Sequence, residues 1–174
     1  PIGYPKLVTQ FGWTWKDVAE KTAPVINYAR ENGLHALFFP YDTTRARKDD
    51  LTNLCDYVME HSPPDSIGIV DTMGCATPEA IKHMVHWVSD MTGLPIEIHT
   101  HNDFGMGVAT ELAAVTAGAV CVHSCANGLG ERTGNAALEE LMMGLHLLYG
   151  YDTNYKLDKI PELAEMIAAK SNIP

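Results

Sequence analysis

Apolar residues in this chain recur with two different periods, and the two periods alternate along the sequence. Residues 14–32 carry apolar side chains three and four positions apart, which predicts an amphipathic helix opened by an N-capping threonine. The apolar run at 34–39 then predicts a buried β-strand. The same succession repeats, so we expect strands near 34–39, 66–71, 96–101 and 119–125, and helices near 48–61, 78–91, 105–117, 138–148 and 157–170.

Short apolar strands joined by helices predict a parallel sheet, in which chemistry concentrates at the carboxyl ends of the strands. Those ends are polar here: they read Tyr41-Asp42, Asp71-Thr72, His99 to Asp103, and the loop 127–135. This asymmetry is typical of an α/β protein of the (β/α) TIM-barrel class. Because a complete barrel takes ~250 residues, four βα units correspond to about half of one. A second copy could supply the rest, but the chain begins without Met, so we expect an excerpt of a longer protein.

The third predicted strand carries the most distinctive pattern. Ile96 and Ile98 alternate with Glu97, His99 and His101, so the two histidines share one face of the strand. Imidazoles two residues apart lie about 7 Å apart along a strand, close enough to reach one metal ion. The alternative is a pair of hydrogen-bonded histidines with no ligand.

Composition excludes several classes of function. The net charge of −10 argues against a nucleic-acid surface, which needs clustered Lys and Arg. No apolar run approaches the ~18 residues of a membrane span, and the first residues do not have the pattern of a signal peptide. The four cysteines form no C-x-x-C motif, so we expect reduced thiols with structural roles in a cytoplasmic protein.

Two motifs give the chain a family resemblance. His99-Thr100-His101-Asn102-Asp103-Phe104-Gly105, together with Asn127-Gly128-Leu129-Gly130-Glu131-Arg132-Thr133-Gly134-Asn135, resembles the 2-isopropylmalate, homocitrate and citramalate synthase family. These enzymes belong to a wider group of metal-dependent TIM barrels that includes hydroxymethylglutaryl-CoA lyase. Asp71-Thr72-Met73-Gly74 fits the same family at the preceding strand. The resemblance covers essentially the whole chain and identifies it with the C-terminal half of the barrel.

The resemblance implies a divalent metal, Mn²⁺, Mg²⁺ or Zn²⁺, held by His99, His101 and Asn135. A carboxylate from the first barrel strand would complete the ligand set. It implies a Claisen-type condensation of acetyl-CoA with a 2-oxo acid, in which the metal polarises the keto group. It also implies a role in amino-acid biosynthesis and a homo-oligomer, expected to be a homodimer.

Two departures from the family pattern affect the expected catalytic residues. The opening strand of the family, with its Asp-Arg-Glu cluster, has no counterpart in this chain. Tyr41 stands where the family has a catalytic Glu, and a phenol with a pKa of ~10 is a poor base at neutral pH. Either Asp42 takes over that role or the substrate differs from those of the well-known members.

Other polar residues leave alternatives open. Asp71 and Thr72 could contact substrate or cap the next helix. Glu97 is expected to hydrogen-bond other residues inside the barrel, the alternative being direct ligation of the metal. Glu131 and Arg132 are expected to pair within their loop, and the resemblance also makes Glu131 a catalytic candidate. The candidate catalytic residues are therefore Tyr41, Asp42, Asp71, Thr72 and Glu131.

After the third strand, Asp103 is expected to cap the following helix and Asn102 to support the metal site. A lyase or carboxyltransferase on the same barrel is the alternative activity. The lyase branch has a reactive cysteine in the glycine-rich loop, whereas this chain has Gly130-Glu131-Arg132 there. A third alternative is a half barrel without catalytic activity.

Overall fold

The computed structural model describes residues 1–173, which form a parallel four-stranded sheet covered by helices. The strands are β1 (Leu37–Phe38), β2 (Ser66–Asp71), β3 (Ile96–Thr100) and β4 (Cys121–His123), and they pair in sequence order. The helices are α1 (Trp15–Glu31), α2 (Lys48–His61), α3 (Pro78–Thr92), α4 (Gly107–Thr116), α5 (Leu138–Leu147) and α6 (Ile160–Ser171). Lys6–Phe11 adds a short π-helix, and 3-10 turns occur at Thr43–Arg45, Ala126–Gly128 and Leu157–Lys159. The predicted α/β class with a partial TIM barrel is confirmed.

Local sequence explains where the helices begin. Thr14 and Asp17 form a capping box at the start of α1, in which each side chain accepts from the other residue's backbone N–H. Thr77 caps α3, with Pro78 at its first helical position. Both helices therefore begin where the sequence predicts.

Two strands are shorter than expected. The run 34–39 contributes only Leu37–Phe38, because the Leu34 amide still closes the end of α1 by donating to the Ala29 carbonyl at 3.0 Å. The run 119–125 contributes only Cys121–His123, because the Ala119 amide makes the same kind of bond to Ala114 at the end of α4, also at 3.0 Å. In both cases residues after a helix-terminating glycine complete the cap before the strand starts.

The core lies between one face of the sheet and the helices. Ile67 and Ile69 of β2 pair in register with Ile96 and Ile98 of β3, and all four side chains are buried. They pack with buried residues of the surrounding helices, including Leu51, Leu54, Val58, Ile81, Val85 and Val88. By strand alternation, Gly68, Glu97 and His99 lie on the opposite face. Glu97 and His99 thus lie on the side of the sheet that faces away from these helices.

Helix α5 differs from the predicted pattern at its end. Leu141 and Met142 of α5 are buried as expected, whereas Leu148 follows the end of the helix and is 77% exposed. Among residues 1–173, no helix is long and apolar enough to cross a membrane.

Candidate active site

The three side chains expected to bind a metal lie together at the carboxyl end of β3. The His99 and His101 ring centroids are 5.1 Å apart. The Asn135 side chain reaches them from the loop before α5, with Nδ2 at 3.4 Å from Nε2 of His99. A backbone bridge pairs His101 with Asn135, so the loop is fastened directly to the strand end. The structure therefore brings the three predicted ligands to one place.

The glycine-rich loop delivers Asn135 because its backbone turns tightly. The Asn135 amide donates to the Gly128 carbonyl at 3.0 Å, and the Asn102 amide donates to the Gly134 carbonyl at 2.9 Å. Gly134 has a φ of +94°, and a Cβ there would overlap the Gly128 carbonyl oxygen. A Cβ at Gly130 would overlap Oδ1 of Asn135. The loop conformation therefore requires glycine where it brings the amide to the histidines.

Two buried polar atoms at this point have no hydrogen-bond partner within residues 1–173. They are Nδ1 of His101 and Oδ1 of Asn135, on residues that are 5% and 6% exposed. An unpaired buried polar group is costly, and such groups in native proteins commonly indicate a missing ion or water. Imidazole nitrogen and amide oxygen are suitable ligands for a divalent cation. The donor set therefore fits a metal ion.

The protonation state of His99 also suits metal binding. Burial, followed by the neighbouring His101 and His123, lowers the pKa of His99 to about 4. The imidazole is then neutral at pH 7, and a neutral ring nitrogen has the lone pair that a metal ligand needs.

Asp71 and Thr72 connect the loops at the carboxyl ends of the strands. The buried Asp71 carboxylate accepts from the Thr44 hydroxyl at 2.7 Å and from the amides of Cys75 and Ala76 at 3.2 and 3.0 Å. The Thr72 hydroxyl accepts from the Asp42 amide at 2.9 Å. Both side chains therefore hold the loops after β1 and β2 in fixed positions.

Asp42 and Tyr41, the two candidates for the role of the family Glu, occupy very different environments. Asp42 is fully buried in a left-handed conformation, and its carboxylate accepts from Nε and Nη2 of Arg45 at 2.9 and 2.6 Å. Tyr41 is 41% exposed, and the Lys6 ammonium lies 5.5 Å from its ring centroid. Arg45 therefore pairs with Asp42, which leaves Tyr41 as the accessible member of the two.

The polar residues on either side of the metal candidates do not pair as expected. Asn102, and not Asp103, accepts from the first amide of α4: its Oδ1 lies 2.9 Å from the Gly107 nitrogen. Asp103 accepts instead from Nε and Nη2 of Arg132 at 2.7 and 2.8 Å, and the same guanidinium donates to the Thr72 carbonyl at 2.6 Å.

Glu131 does not pair with Arg132: its Oε2 lies 3.6 Å from Nε2 of His101, and its side chain is 81% exposed. The predicted Glu131–Arg132 pair was wrong because Arg132 pairs with Asp103 instead. The predicted Asp103 cap was wrong because Asn102 bonds the first amide of α4.

Sequence reasoning missed the residues next to His99. The Phe39 ring stacks on His123 at a centroid distance of 5.4 Å and meets the edge of His99 at 5.7 Å. Gly68 makes room for it, because a Cβ there would overlap the Phe39 ring. Glu97 hydrogen-bonds other barrel residues, accepting from the Ser66 hydroxyl at 2.6 Å and lying 2.9 Å from Nε2 of His123. The parallel register, with His123 directly opposite His99, could have identified this cluster once the strands were aligned.

Comparison with known proteins finds synthases of 2-isopropylmalate, homocitrate and citramalate among the relatives of this chain. It is 37% identical over 158 residues to a 2-isopropylmalate synthase of Methanocaldococcus jannaschii, which covers 91% of this chain and 30% of that protein. It is 38% identical over 158 residues to a homocitrate synthase of Methanopyrus kandleri, covering 91% of this chain and 40% of that protein. A citramalate synthase of M. jannaschii is 36% identical over 161 residues, with 92% and 33% covered. The chain thus spans less than half the length of these relatives.

Solved structures agree on the fold. The HMG-CoA lyase of Bacillus subtilis superposes with a TM-score of 0.82 at 20% identity, over 96% of this chain and 60% of that one. The carboxyl transferase domain of Rhizobium etli pyruvate carboxylase superposes with a TM-score of 0.75 at 24% identity, over 88% of this chain and 27% of that one. A model of the HMGL-like family matches residues 6–167, nearly the whole chain, so this protein belongs to the HMGL-like family.

Proposed function

We propose that this chain supplies the C-terminal half of the TIM-barrel catalytic domain of a metal-dependent acyltransferase that condenses acetyl-CoA with a 2-oxo acid. The observation that carries this proposal is that His99, His101 and Asn135 lie together, and that Nδ1 of His101 and Oδ1 of Asn135 are buried with no hydrogen-bond partner within residues 1–173. The names of the relatives, synthases of 2-isopropylmalate, homocitrate and citramalate, favour condensation over cleavage. The remaining barrel strands then come from polypeptide outside these residues.

In this proposal His99, His101 and Asn135 hold Mn²⁺, Mg²⁺ or Zn²⁺, together with a carboxylate from another strand of the barrel. The bound ion supplies Lewis-acid polarisation of the keto group of the 2-oxo acid. His99 contributes a neutral imidazole, because its lowered pKa keeps the ring unprotonated at pH 7. Phe39 limits the rotation of that ring by packing against its edge.

The acetyl-CoA methyl group must lose a proton before its carbon attacks the keto carbon, and water must then hydrolyse the thioester to release CoA. Glu131 is the candidate to take up a proton, because its carboxylate is exposed beside His101. Tyr41 is the candidate to donate a hydrogen bond to the oxygen on which negative charge develops, since its ring is partly exposed at the end of β1. Asp42, Asp71 and Thr72 serve this reaction by positioning the loops that carry these groups.

The proposal includes a role in amino-acid biosynthesis, a cytoplasmic location and a homo-oligomer, expected to be a dimer. All four cysteines are free, as expected in a reducing compartment. Exposed apolar side chains at Leu147, Leu148 and Tyr149 provide a surface on which subunits could pack.

The test measures CoA release by the whole protein from acetyl-CoA and a panel of 2-oxo acids with increasing side-chain size. We expect turnover that chelation abolishes and that Mn²⁺ or Mg²⁺ restores. His99→Ala and Asn135→Ala should lower kcat about a thousandfold or more, since metal assistance contributes several kcal/mol. His86→Ala, at an exposed position on α3, is the matched control and should be unchanged.

Two results would contradict the proposal. Cleavage of hydroxyacyl-CoA thioesters without condensation would identify a lyase on the same barrel. Tight metal binding by the whole protein without turnover of any 2-oxo acid would identify a barrel without catalytic activity.

A further inference from the structure

A second group of metal-binding side chains lies on the same face of the sheet as His99 and extends from the level of His99 towards the start of the strands. Glu97 of β3 stands directly opposite Cys121 of β4 in the parallel register, and His123 follows two residues after Cys121. Alternation along β4 therefore places Cys121 and His123 on one face. One ligand atom from each of Glu97, Cys121 and His123 lies within 4.8 Å of the other two.

Neighbouring residues hold this group in place. The Ser66 hydroxyl donates to Oε1 of Glu97 at 2.6 Å, while Oε2 lies 2.9 Å from Nε2 of His123. The stacked Phe39 ring fixes the plane of the His123 imidazole. Nε2 of His35 lies 3.1 Å from the Ser66 hydroxyl and 4.0 Å from Oε1 of Glu97, so a further nitrogen is available at the edge of the group. The Glu97 and His123 side chains are 13% and 27% exposed, whereas Cys121 is exposed.

The chemistry of these donors differs from that of the site at His99, His101 and Asn135. A thiolate, an imidazole and a carboxylate form a typical ligand set for zinc, and a thiolate selects against Mg²⁺. Binding a cation would place positive charge between Glu97 and the sulfur and release the thiol proton to solvent.

We propose that Glu97, Cys121 and His123 form a second cation site, selective for Zn²⁺, next to the site at the end of β3. His35 is positioned at its edge as the source of a fourth ligand. The site joins β3 to β4 through side chains. Because its three donors come from the two adjacent strands β3 and β4, a bound cation would link these strands, and we assign the site a structural role.

The test uses cobalt in place of zinc, because a thiolate bound to Co²⁺ gives a charge-transfer absorption band in the near ultraviolet. The whole protein is stripped with a chelator, reduced, and titrated with Co²⁺. We expect this band in the unmodified protein and its loss in Cys121→Ser. Cys125→Ser is the matched control, and it should retain the band because Cys125 lies outside the group.

Further variants separate this site from the one that carries the proposed function. His101→Ala should retain the cobalt–thiolate band while losing metal at the other site, and His123→Gln should weaken the band without touching the sulfur. Zinc analysis should show one fewer ion per chain in Cys121→Ser than in the unmodified protein. Absence of the band in the unmodified protein, or its persistence in a folded Cys121→Ser variant, would overturn the proposal.

Discussion

The position of the Asn135 side-chain amide requires that residue 130 be glycine. Gly130 faces the amide so closely that a Cβ would overlap Oδ1 and would come within 3.1 Å of the Asn135 nitrogen. The methyl group of an alanine at position 130 would displace the Asn135 side chain, a proposed metal ligand, while leaving every ligand atom chemically unchanged. It therefore allows the position of the amide to be tested separately from its chemistry.

We predict that Gly130→Ala lowers the metal affinity of the whole protein by about 10- to 100-fold, the range typical of changes that misplace a ligand. Isothermal titration with Mn²⁺ measures this affinity. Gly144→Ala is the control, since a Cβ there meets only the Leu112 side chain, at 3.2 Å or more. An unchanged affinity in Gly130→Ala would show that the amide is not a ligand.

Some of these residues were accessible from the sequence and others were not. His99 and His101 follow from strand alternation alone, whereas the role of Asn135 came from the family resemblance. That Asn102 bonds the first amide of α4 while Asp103 pairs with Arg132 could not be predicted. Both residues follow the strand, and Asn and Asp are equally suited to bond a helix amide. Contacts such as Phe39 on His123 depend on the order and register of strands that lie far apart in sequence.

At the scale of whole elements, helix α4 carries an unusual buried acid. Glu111 is fully buried and its Oε1 accepts from the Thr100 hydroxyl at 3.3 Å, while Oε2 has no partner among residues 1–173. Burial raises the pKa of this carboxyl to about 8. Between about pH 4.5 and 8 the folded protein therefore keeps a proton that the unfolded chain releases, and stability falls as the pH rises.

We predict that Glu111→Gln, which keeps the shape without the charge, stabilises the protein more at pH 8 than at pH 5. The difference should approach about 3 kcal/mol, since each pKa unit corresponds to about 1.4 kcal/mol. Urea denaturation of the whole protein at both pH values measures the free energy of unfolding. Glu140→Gln on the exposed side of α5 is the control. A stabilisation by Glu111→Gln that is independent of pH would contradict this account.

Helices were predicted more accurately than strands, for a physical reason. Caps such as Thr14 with Asp17 are local and can be recognised in the sequence. β1 and β4 begin later than predicted because the Leu34 and Ala119 amides bond carbonyls of the preceding helices. An apolar run in the sequence does not show that its first amides are used in this way. The helix expected from Gly105 likewise begins two residues later, at Gly107.

For the molecule as a whole, the sheet order β1-β2-β3-β4 leaves β1 and β4 as its edges within the described residues. The number of strands and their parallel direction were predictable from the alternating pattern and the length.

We predict that residues 1–174 expressed alone self-associate, because edge strands with unpaired backbone groups readily add another strand. The whole protein should instead form a defined oligomer. Size-exclusion chromatography with light scattering compares the two. A stable monomer of residues 1–174 would show that the four-stranded sheet is complete in itself.

If His99, His101 and Asn135 hold one divalent cation, pulsed electron paramagnetic resonance of the Mn²⁺-loaded whole protein should detect the two imidazoles. Nitrogen nuclei of directly bound imidazoles couple to the electron spin of Mn²⁺. We expect coupling from two imidazoles, with one lost in His99→Ala, the other lost in His101→Ala, and both kept in His123→Ala. Mn²⁺ bound without nitrogen coupling, or with coupling that neither His99→Ala nor His101→Ala removes, would contradict it.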